Sequence, residues 1–164
     1  MVRAEQAGDA AAISAVHRAA FAGQPYSSQA EHLIVERLRA RGKLLLSLVS
    51  VTQAGEVVGH VAFSPVLVDG VDLGWAGLGP VGVLPVHQRR GIGSELIEQG
   101  LATLRAAGLA GCVVFGEPAY YRRFGFRSGM GLRYPGPPPE YFMALPFSPS
   151  LPPFGVVSYD NPFG

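Results

Sequence analysis

The fold of this chain is decided by one stretch, Val81-Gly82-Val83-Leu84-Pro85-Val86-His87-Gln88-Arg89-Arg90-Gly91-Ile92-Gly93-Ser94. The strand-like segment that leads into it, Trp75 to Leu84, is apolar but contains Gly77, Gly79, Pro80 and Gly82. Such a strand is not a regular, fully paired central strand, because proline lacks a ladder donor and glycine favours a bulge or the close approach of a ligand. The sequence therefore predicts an irregular strand, then a loop and a helix.

The loop between this strand and the helix, Gln88 to Ser94, is rich in hydrogen-bond donors. Gly91 and Gly93 have no Cβ, so phosphate oxygens can approach successive backbone N–H groups there. The first helical turn adds N–H groups without helical partners and the positive end of its dipole. Ser94 adds a hydroxyl, and Arg89-Arg90 add positive charge. One interpretation is a site for a cofactor pyrophosphate; the other, which a lone glycine pair favours, is an ordinary turn with solvated arginines.

Other phosphate-binding loops fit this stretch less well. The nicotinamide dinucleotide fingerprint requires a third glycine where Leu96 stands, and an acidic residue near 112–115, where there is none. The chain contains no GxxxxGK[ST] segment, which excludes a P-loop.

The rest of the chain alternates between strand and helix periodicity. The predicted strands are Val2–Ala4, Leu44–Thr52, Val57–Val68, Val71–Leu84 after an Asp69-Gly70 hairpin turn, Gly111–Phe115, Tyr141–Leu145 and Val156–Tyr159. The predicted helices run from an Asp9 N-cap to Phe21, from a Ser28-Gln29-Ala30-Glu31 capping box to Gly42, from Gly91 to Ala107, and from Pro118 to before Gly125. This order predicts a single α/β domain over residues 1–164, with helices on both faces of one mixed sheet and a Pro-rich segment, 130–164, that completes the sheet.

Composition excludes several classes of protein. The chain of 164 residues is 48% hydrophobic, which is typical of a globule with a proper core. The net charge of +1 favours neither nucleic acid nor a membrane surface as partner. We expect a cytoplasmic protein, since no apolar run is long enough to span a bilayer and charges interrupt the first twenty residues. The four histidines and the lone Cys112 share no ligand spacing, so no metal is expected.

Two motifs connect the chain to a known family. Gln88, Gly91 and Gly93 match the core pattern Gln/Arg-x-x-Gly-x-Gly/Ala, and the stretch resembles the central motif of the GNAT superfamily of N-acetyltransferases. Tyr121-Arg122-Arg123-Phe124-Gly125-Phe126 looks like that family's Tyr-x-x-x-Gly-Phe at the end of its fourth helix. The order of elements is similar over nearly the whole chain. With Pro118-Ala119-Tyr120-Tyr121 before the second motif, the chain looks most like the bacterial YhbS-like branch.

The resemblance implies a fold, a cofactor and site residues. The implied fold is a mostly antiparallel central sheet with a splayed parallel strand pair, and the implied acyl donor is acetyl-CoA. Its pyrophosphate would lie on Gln88, Arg89, Arg90, Gly91, Ile92, Gly93 and Ser94, and its pantetheine along Val81, Gly82 and Val83. The N–H of Val81 would face the thioester oxygen, where negative charge grows during attack. Tyr121 matches the usual general acid, although a packed aromatic residue is an equal alternative.

The general base is where the sequence departs from the family pattern. Many members carry a glutamate on the strand equivalent to Trp75–Leu84, and this chain has none there. Glu117 is a candidate, but its position before Pro118 is typical of an N-cap. His60 is expected to be a half-buried strand residue, and a water chain is a further alternative. Cys112, inside a buried strand, is expected to be inert packing.

The acceptor is expected to be an amine of a small molecule or a peptide. It would lie beside Tyr26 on one side and the segment Tyr134–Glu140 on the other. The protein is expected to be a monomer or a homodimer. The alternative from another class is a non-catalytic acetyl-CoA or CoA sensor, which the missing glutamate favours and the retained Tyr121 opposes.

Overall fold

The computed structural model describes residues 1–149 and 152–159. They belong to two compact units, of which the first holds Met1–Phe63 and Gly79–Gly100 and the second holds Ser64–Leu78 with 101–149 and 152–159. Two strands, Val57–Val68 and Val71–Val83, contribute residues to both units. Part of the predicted Pro-rich segment, 150–151 and 160–164, lies outside the described residues.

The described elements follow the predicted order. The strands are Val2–Ala4 (β1), Leu46–Val51 (β2), Val57–Val68 (β3), Val71–Val83 (β4), Gly111–Phe115 (β5), Leu132–Arg133 (β6), Phe142–Pro146 (β7) and Gly155–Tyr159 (β8). The α-helices are Ala10–Phe21 (α1), Glu31–Ala40 (α2), Ile92–Ala106 (α3) and Pro118–Tyr121 (α4), with 3-10 turns at Pro85–His87, Arg122–Phe124 and Pro139–Tyr141. No helix within the described residues is long and apolar enough to cross a bilayer. The short strand β6 was not predicted, because two residues carry no readable alternation.

The first unit holds an antiparallel set of strands, in which β1 pairs with β2 and β2 pairs with β3. The hydrophobic core of this unit lies between these strands and the first two helices. It consists of Ile13, Val16, Val35, Val49, Val51, Val57 and Ala62. These residues come from α1, α2 and strands β2 and β3, so the apolar stripes of both helices are buried as their periodicity predicts.

The starts of α1 and α2 differ from the predicted capping. Asp9 stands at the N-cap of α1, but its side chain makes no cap bond. Its carboxylate instead accepts from the Arg3 guanidinium at 2.7 Å and from the backbone N–H of Gln6 at 2.7 Å. The Ser28 capping box is wrong, because α2 begins at Glu31 and the hydroxyl of Ser27 donates to the Glu31 carboxylate at 2.7 Å.

The second unit contains the parallel pair. Strand β4 pairs in parallel with β5 from Trp75 opposite Gly111 to Leu78 opposite Val114, and β4 then continues to Val83. On its other side β5 is antiparallel to β7, while β8 is antiparallel to the end of β3. The core of this unit consists of Val66, Val68, Trp75, Val113, Leu132, Phe142, Ala144 and Val157.

Candidate active site

The 88–94 loop takes its shape from two left-handed residues. The chain leaves β4 at Val83, makes the 3-10 turn Pro85–His87 and enters α3 at Ile92. Between these elements Arg89 has a φ of 65° and Gly91 a φ of 80°. A positive φ costs little at glycine but is uncommon at arginine, so the loop holds Arg89 in a conformation that few side chains adopt.

Gln88 shapes the loop by binding the strand before it. Its side-chain Nε2 donates to the carbonyl oxygen of Val83 at 2.9 Å, and its backbone N–H donates to the carbonyl oxygen of Pro85 at 3.3 Å. Gln88 therefore fastens the loop to the end of β4. The sequence pattern marked this residue for a phosphate but did not show this contact.

The start of α3 presents backbone donors beside open space. The N–H of Glu95 donates to the carbonyl oxygen of Gly91 at 3.0 Å, which makes this the first bond of the helical ladder. The N-terminal end of a helix is also the positive end of its dipole. A Cβ added at Gly91 would meet no atom within 4 Å, so the loop is open at that position. Residues 88–91 are exposed and 92–94 are half-buried. This arrangement can bind an anion of the size of a phosphate.

Close packing on β3 fixes the direction of this helix. A Cβ at Gly59 would lie 3.0 Å from Cγ2 of Ile92 and 3.1 Å from Cδ1 of Leu96. A Cβ at Gly100 would collide with the ring of Phe63. Because both glycines lie under a large side chain, the first turn of α3 is held close to β3, and the loop before it is positioned by the core.

The end of β4 is buried at Gly82 and half-buried at Val81 and Val83. A Cβ at Gly82 would lie 2.9 Å from Nδ1 of His17 and 3.3 Å from Cβ of Ala20. The glycine was predicted to allow a bulge or the approach of a ligand; the structure shows that it also admits a side chain of α1. No sequence pattern connected His17 with this strand.

A chain of hydrogen-bonded side chains begins at that histidine. Nε2 of His17 lies 2.7 Å from Nδ1 of His60, and Nε2 of His60 lies 2.8 Å from Oγ of Ser47. The hydroxyl of Ser47 donates to Oε1 of Glu5 at 2.6 Å, and Nε of Arg39 donates to Oε2 of Glu5 at 2.9 Å. We call these five residues the polar chain. The expectation that His60 is half-buried is wrong, because its side chain is fully buried and both of its ring nitrogens have partners.

Burial keeps both histidines of the polar chain neutral. It lowers the pKa of His17 to about 4, with a smaller contribution from His32, and the pKa of His60 to about 2, with smaller contributions from His17 and Arg39. For Glu5, burial alone would raise the pKa, but hydrogen bonds from Arg39 and Ser47 bring it below its ordinary value. The polar chain therefore combines two uncharged rings with an ionised carboxylate.

Tyr121 closes α4 in the second unit. Its half-buried ring lies 5.0 Å from that of Tyr120 and 6.1 Å from that of Phe126, both edge to face. A Cβ at Gly116 would collide with it, so the glycine makes room for the ring. The left-handed Gly125, with a φ of 101°, ends the following 3-10 turn, as the predicted motif requires.

The other candidates have structural roles. Glu117 accepts from the N–H of Ala119 at 3.4 Å and caps α4, as its position before Pro118 indicated. Cys112 is fully buried, and burial raises the pKa of its thiol, so it is not a nucleophile. Among residues 1–149 and 152–159 no group of acidic, histidine or cysteine side chains could hold a metal ion. Tyr26 is exposed, and Tyr134 packs against Phe142 and Tyr159.

Comparison with known proteins identifies the family that this chain matches. The acetyltransferase (GNAT) domain family matches residues 1–129. The N-acetyltransferase YhbS of Escherichia coli strain K12 is 39% identical in an alignment of 140 positions that covers 83% of this chain and 81% of YhbS.

Two solved structures of similar proteins cover nearly the whole length of this chain. A GNAT family acetyltransferase from Brucella melitensis, crystallised with acetyl-CoA, is 48% identical with a TM-score of 0.89, covering 100% of this chain and 97% of that one. Escherichia coli YhbS in complex with CoA has a TM-score of 0.90 at 36% identity, covering 99% of this chain and 91% of that one. The predicted mixed fold, mostly antiparallel with the parallel pair of β4 and β5, is thereby confirmed.

Proposed function

The chain belongs to the acetyltransferase (GNAT) family, and from this premise we propose that it transfers an acetyl group directly from acetyl-CoA to an amine. The observation that carries the proposal is the open start of α3, where the left-handed Gly91 leaves space for an anion at the positive end of the helix dipole. Similar proteins that contain acetyl-CoA or CoA support it.

We assign the pyrophosphate to residues 88–94. The N–H groups of the first turn of α3 and the dipole of the helix supply most of the binding, because backbone donors lose no side-chain entropy when they bind. Arg89 and Arg90 are exposed and add diffuse positive charge, and Ser94 adds a hydroxyl. Gln88 acts indirectly by holding the loop against Val83.

Backbone groups of Val81, Gly82 and Val83 bind the pantetheine arm in this proposal. The N–H of Val81 donates to the thioester oxygen and stabilises the charge that develops there as the amine attacks. The carbonyl oxygen of Val83 already accepts from Gln88, which leaves one of its lone pairs for the cofactor.

Tyr121 is the proposed general acid. When the C–S bond breaks, the sulfur carries the electron pair, and the phenol can supply the proton that this thiolate takes up. The ring is fixed by Tyr120 and Phe126, so the position of the hydroxyl is defined by packing.

The acceptor class stays broad. We propose an amine of a small molecule or of a peptide, with no nucleic acid or membrane as partner, and a monomer or homodimer in the cytoplasm. The low net charge of +1 supports this choice, because it provides no strong field for polyanions.

An acceptor screen tests the function. Free thiol is measured while purified protein, acetyl-CoA and a panel of amines, amino acids and peptides are incubated together. In parallel, acetyl-CoA should raise the melting temperature at concentrations well above its Kd, and NAD and ATP should do so much less. Tight CoA binding without turnover of any amine would favour the sensor; stabilisation by NAD or ATP alone would overturn both interpretations.

Substitution of Tyr121 tests its role as an acid. Tyr121→Phe keeps the ring and should leave the Kd of acetyl-CoA unchanged, while kcat falls about 10²- to 10⁴-fold if departure of the thiolate limits the rate. Tyr120→Phe, the same change one residue earlier in α4, serves as the control and should retain kcat. An unchanged kcat in Tyr121→Phe, together with an unchanged alkaline limb of its pH profile, would contradict the assignment.

A further inference from the structure

The polar chain has a direction that its own hydrogen bonds determine. Glu5 is ionised and can only accept, so Ser47 must donate its single hydroxyl proton to it. Since that proton is used, Oγ of Ser47 can only accept from Nε2 of His60, which therefore carries hydrogen. His60 is neutral, so its Nδ1 is bare and accepts from Nε2–H of His17. Both histidines are consequently neutral Nε2–H tautomers.

This direction leaves a bare ring nitrogen at the inner end. Nδ1 of His17 is buried and has no hydrogen-bond partner among the described residues. It lies against Gly82, where an added Cβ would be only 2.9 Å away. A buried acceptor without a donor costs free energy and requires an explanation. Any other residue at position 82 would crowd this lone pair with its Cβ, on the strand segment that we assign to the pantetheine arm.

The outer end of the polar chain reaches solvent. The side chains of Glu5 and Arg39 are 18% and 28% exposed. Both residues and Ser47 line a surface cavity of about 430 Å³. A proton that arrives at Glu5 can therefore pass to bulk water.

We propose that the polar chain is a proton relay that serves as the missing general base, with Nδ1 of His17 as the acceptor of the proton from the attacking amine. The inference rests on the proposed acetyl transfer. The proposed base, His17, lies on α1. It would replace the glutamate that many family members carry on the strand equivalent to Trp75–Leu84, where this chain has none.

The transfer balances along the four groups. The amine nitrogen forms the C–N bond and its proton passes to Nδ1 of His17. The proton on Nε2 of His17 moves to Nδ1 of His60, the one on Nε2 of His60 moves to Oγ of Ser47, and the hydroxyl proton of Ser47 moves to Glu5, which releases it to water. After the product leaves, one proton enters from water at Glu5, each bridging proton shifts back, and the proton on Nδ1 of His17 leaves by the side from which the amine approached. No imidazolium forms at any stage.

A relay differs from a single histidine base because neither histidine becomes positively charged. A lone imidazole as deeply buried as His17 holds a proton poorly at neutral pH. Passing a different proton onward at each ring avoids a buried cation beside His32 on α2 and Arg39 at the outer end. His60, Ser47 and Glu5 act through His17 and are positioning residues.

Ser47→Ala tests the relay at its far end. It removes the hydroxyl that connects His60 with Glu5 and leaves the Arg39–Glu5 ion pair intact. We expect kcat to fall about 10²-fold, the lower end of the range for general bases, with no change in the Kd of acetyl-CoA. The activity of this variant should rise with pH beyond the range in which the wild type has reached a plateau. Ser47→Thr restores a hydroxyl and should regain most of kcat, and Ser50→Ala on the same strand is the matched control.

A second measurement needs no acceptor. Nitrogen chemical shifts of ¹⁵N-labelled histidine in the wild-type protein should show the Nε2–H tautomer for both His17 and His60 at neutral pH. A hydrogen on Nδ1 of His17 would overturn the relay. If Ser47→Ala turns over an amine as the wild type does, the relay falls and the acetyltransferase stands. If CoA binds and no amine is acetylated by the wild type, both proposals fall.

Discussion

The 88–94 loop and the polar chain both lie in the first unit, but they are built in opposite ways. The loop is one continuous segment whose residues 88–91 are exposed, and we propose that it binds through backbone N–H groups. The polar chain gathers side chains from the segment after β1, from α1, α2, β2 and β3, and its histidines are completely buried. The loop requires a backbone shape, whereas the polar chain requires particular ring atoms at particular distances.

This difference determines which substitutions each region tolerates. A loop that binds through its backbone is damaged where φ is positive or where a new side chain fills the phosphate space. A buried set of polar side chains is damaged wherever one partner is removed, because the remaining group is left unsatisfied. Damage to the loop should therefore appear in binding, and damage to the polar chain should appear in catalysis and in acid stability.

The largest expected effect concerns Gly91. Gly91→Val places a branched side chain in the space open to phosphate oxygens, and we expect the Kd of CoA to rise on the order of 10³-fold, as for the loss of two hydrogen bonds to a charged group. Gly108→Val is the matched control: Gly108 has a φ of 87° and similarly open surroundings, so it carries the same backbone strain. Calorimetry of both variants gives the comparison. Equal CoA affinity in the two folded variants would remove the pyrophosphate from the loop.

The polar chain should make stability depend on pH. Both histidines have pKa values below those of the unfolded chain, so the unfolded state binds more protons as the pH falls below about 6.5. The stabilisation is complete above that pH and is lost toward pH 4 for His17 and toward pH 2 for His60. At pH 5 the loss amounts to about 2 kcal/mol for each histidine.

Urea unfolding at pH 7 and pH 5 measures this dependence. In His17→Gln the difference in free energy between the two pH values should shrink by about 2 kcal/mol. Val16→Ala, a core truncation one residue earlier, should lower stability at both pH values and leave the difference unchanged. A wild-type difference retained in His17→Gln would show that this ring is not buried neutral.

Local patterns predicted most of the fold. The bounds of β1, β3 and β5 agree with prediction to the residue, because apolar runs between strong turn residues leave little choice. The Asp69-Gly70 turn, with φ values of 49° and 79°, explains why the β3–β4 hairpin could be predicted. The start of α2 could not be predicted, because its N-cap is Ala30, which makes no side-chain cap bond, and only the path of the loop brings the hydroxyl of Ser27 to Glu31.

The candidate site divides in the same way. The glycines of the 88–94 loop could be proposed from the sequence because a phosphate site requires residues at fixed local spacing. His17, His60 and Ser47 could not be connected, because 43 residues separate the two histidines and 13 separate His60 from Ser47. At Gly82 the sequence predicts only part of what the structure shows. A glycine in a strand indicates that another group comes close, but the sequence does not identify that group.

The smallest expected effect concerns Arg89, and it separates charge from backbone shape within the loop. Arg89→Ala removes one exposed charge and should weaken CoA binding only about 2- to 5-fold, as expected for a solvent-exposed ion pair. The loss should disappear as salt is raised, because the Debye length falls to about 8 Å at physiological ionic strength. Arg89→Gly removes the same charge and also relieves the strain of the positive φ of 65°. It should therefore bind CoA as Arg89→Ala does but have a higher melting temperature than Arg89→Ala. If Arg89→Ala instead weakened binding 100-fold at high salt, the arginine side chain rather than the backbone would be the main phosphate ligand, and the contrast between a backbone-built loop and a side-chain-built polar chain would fail.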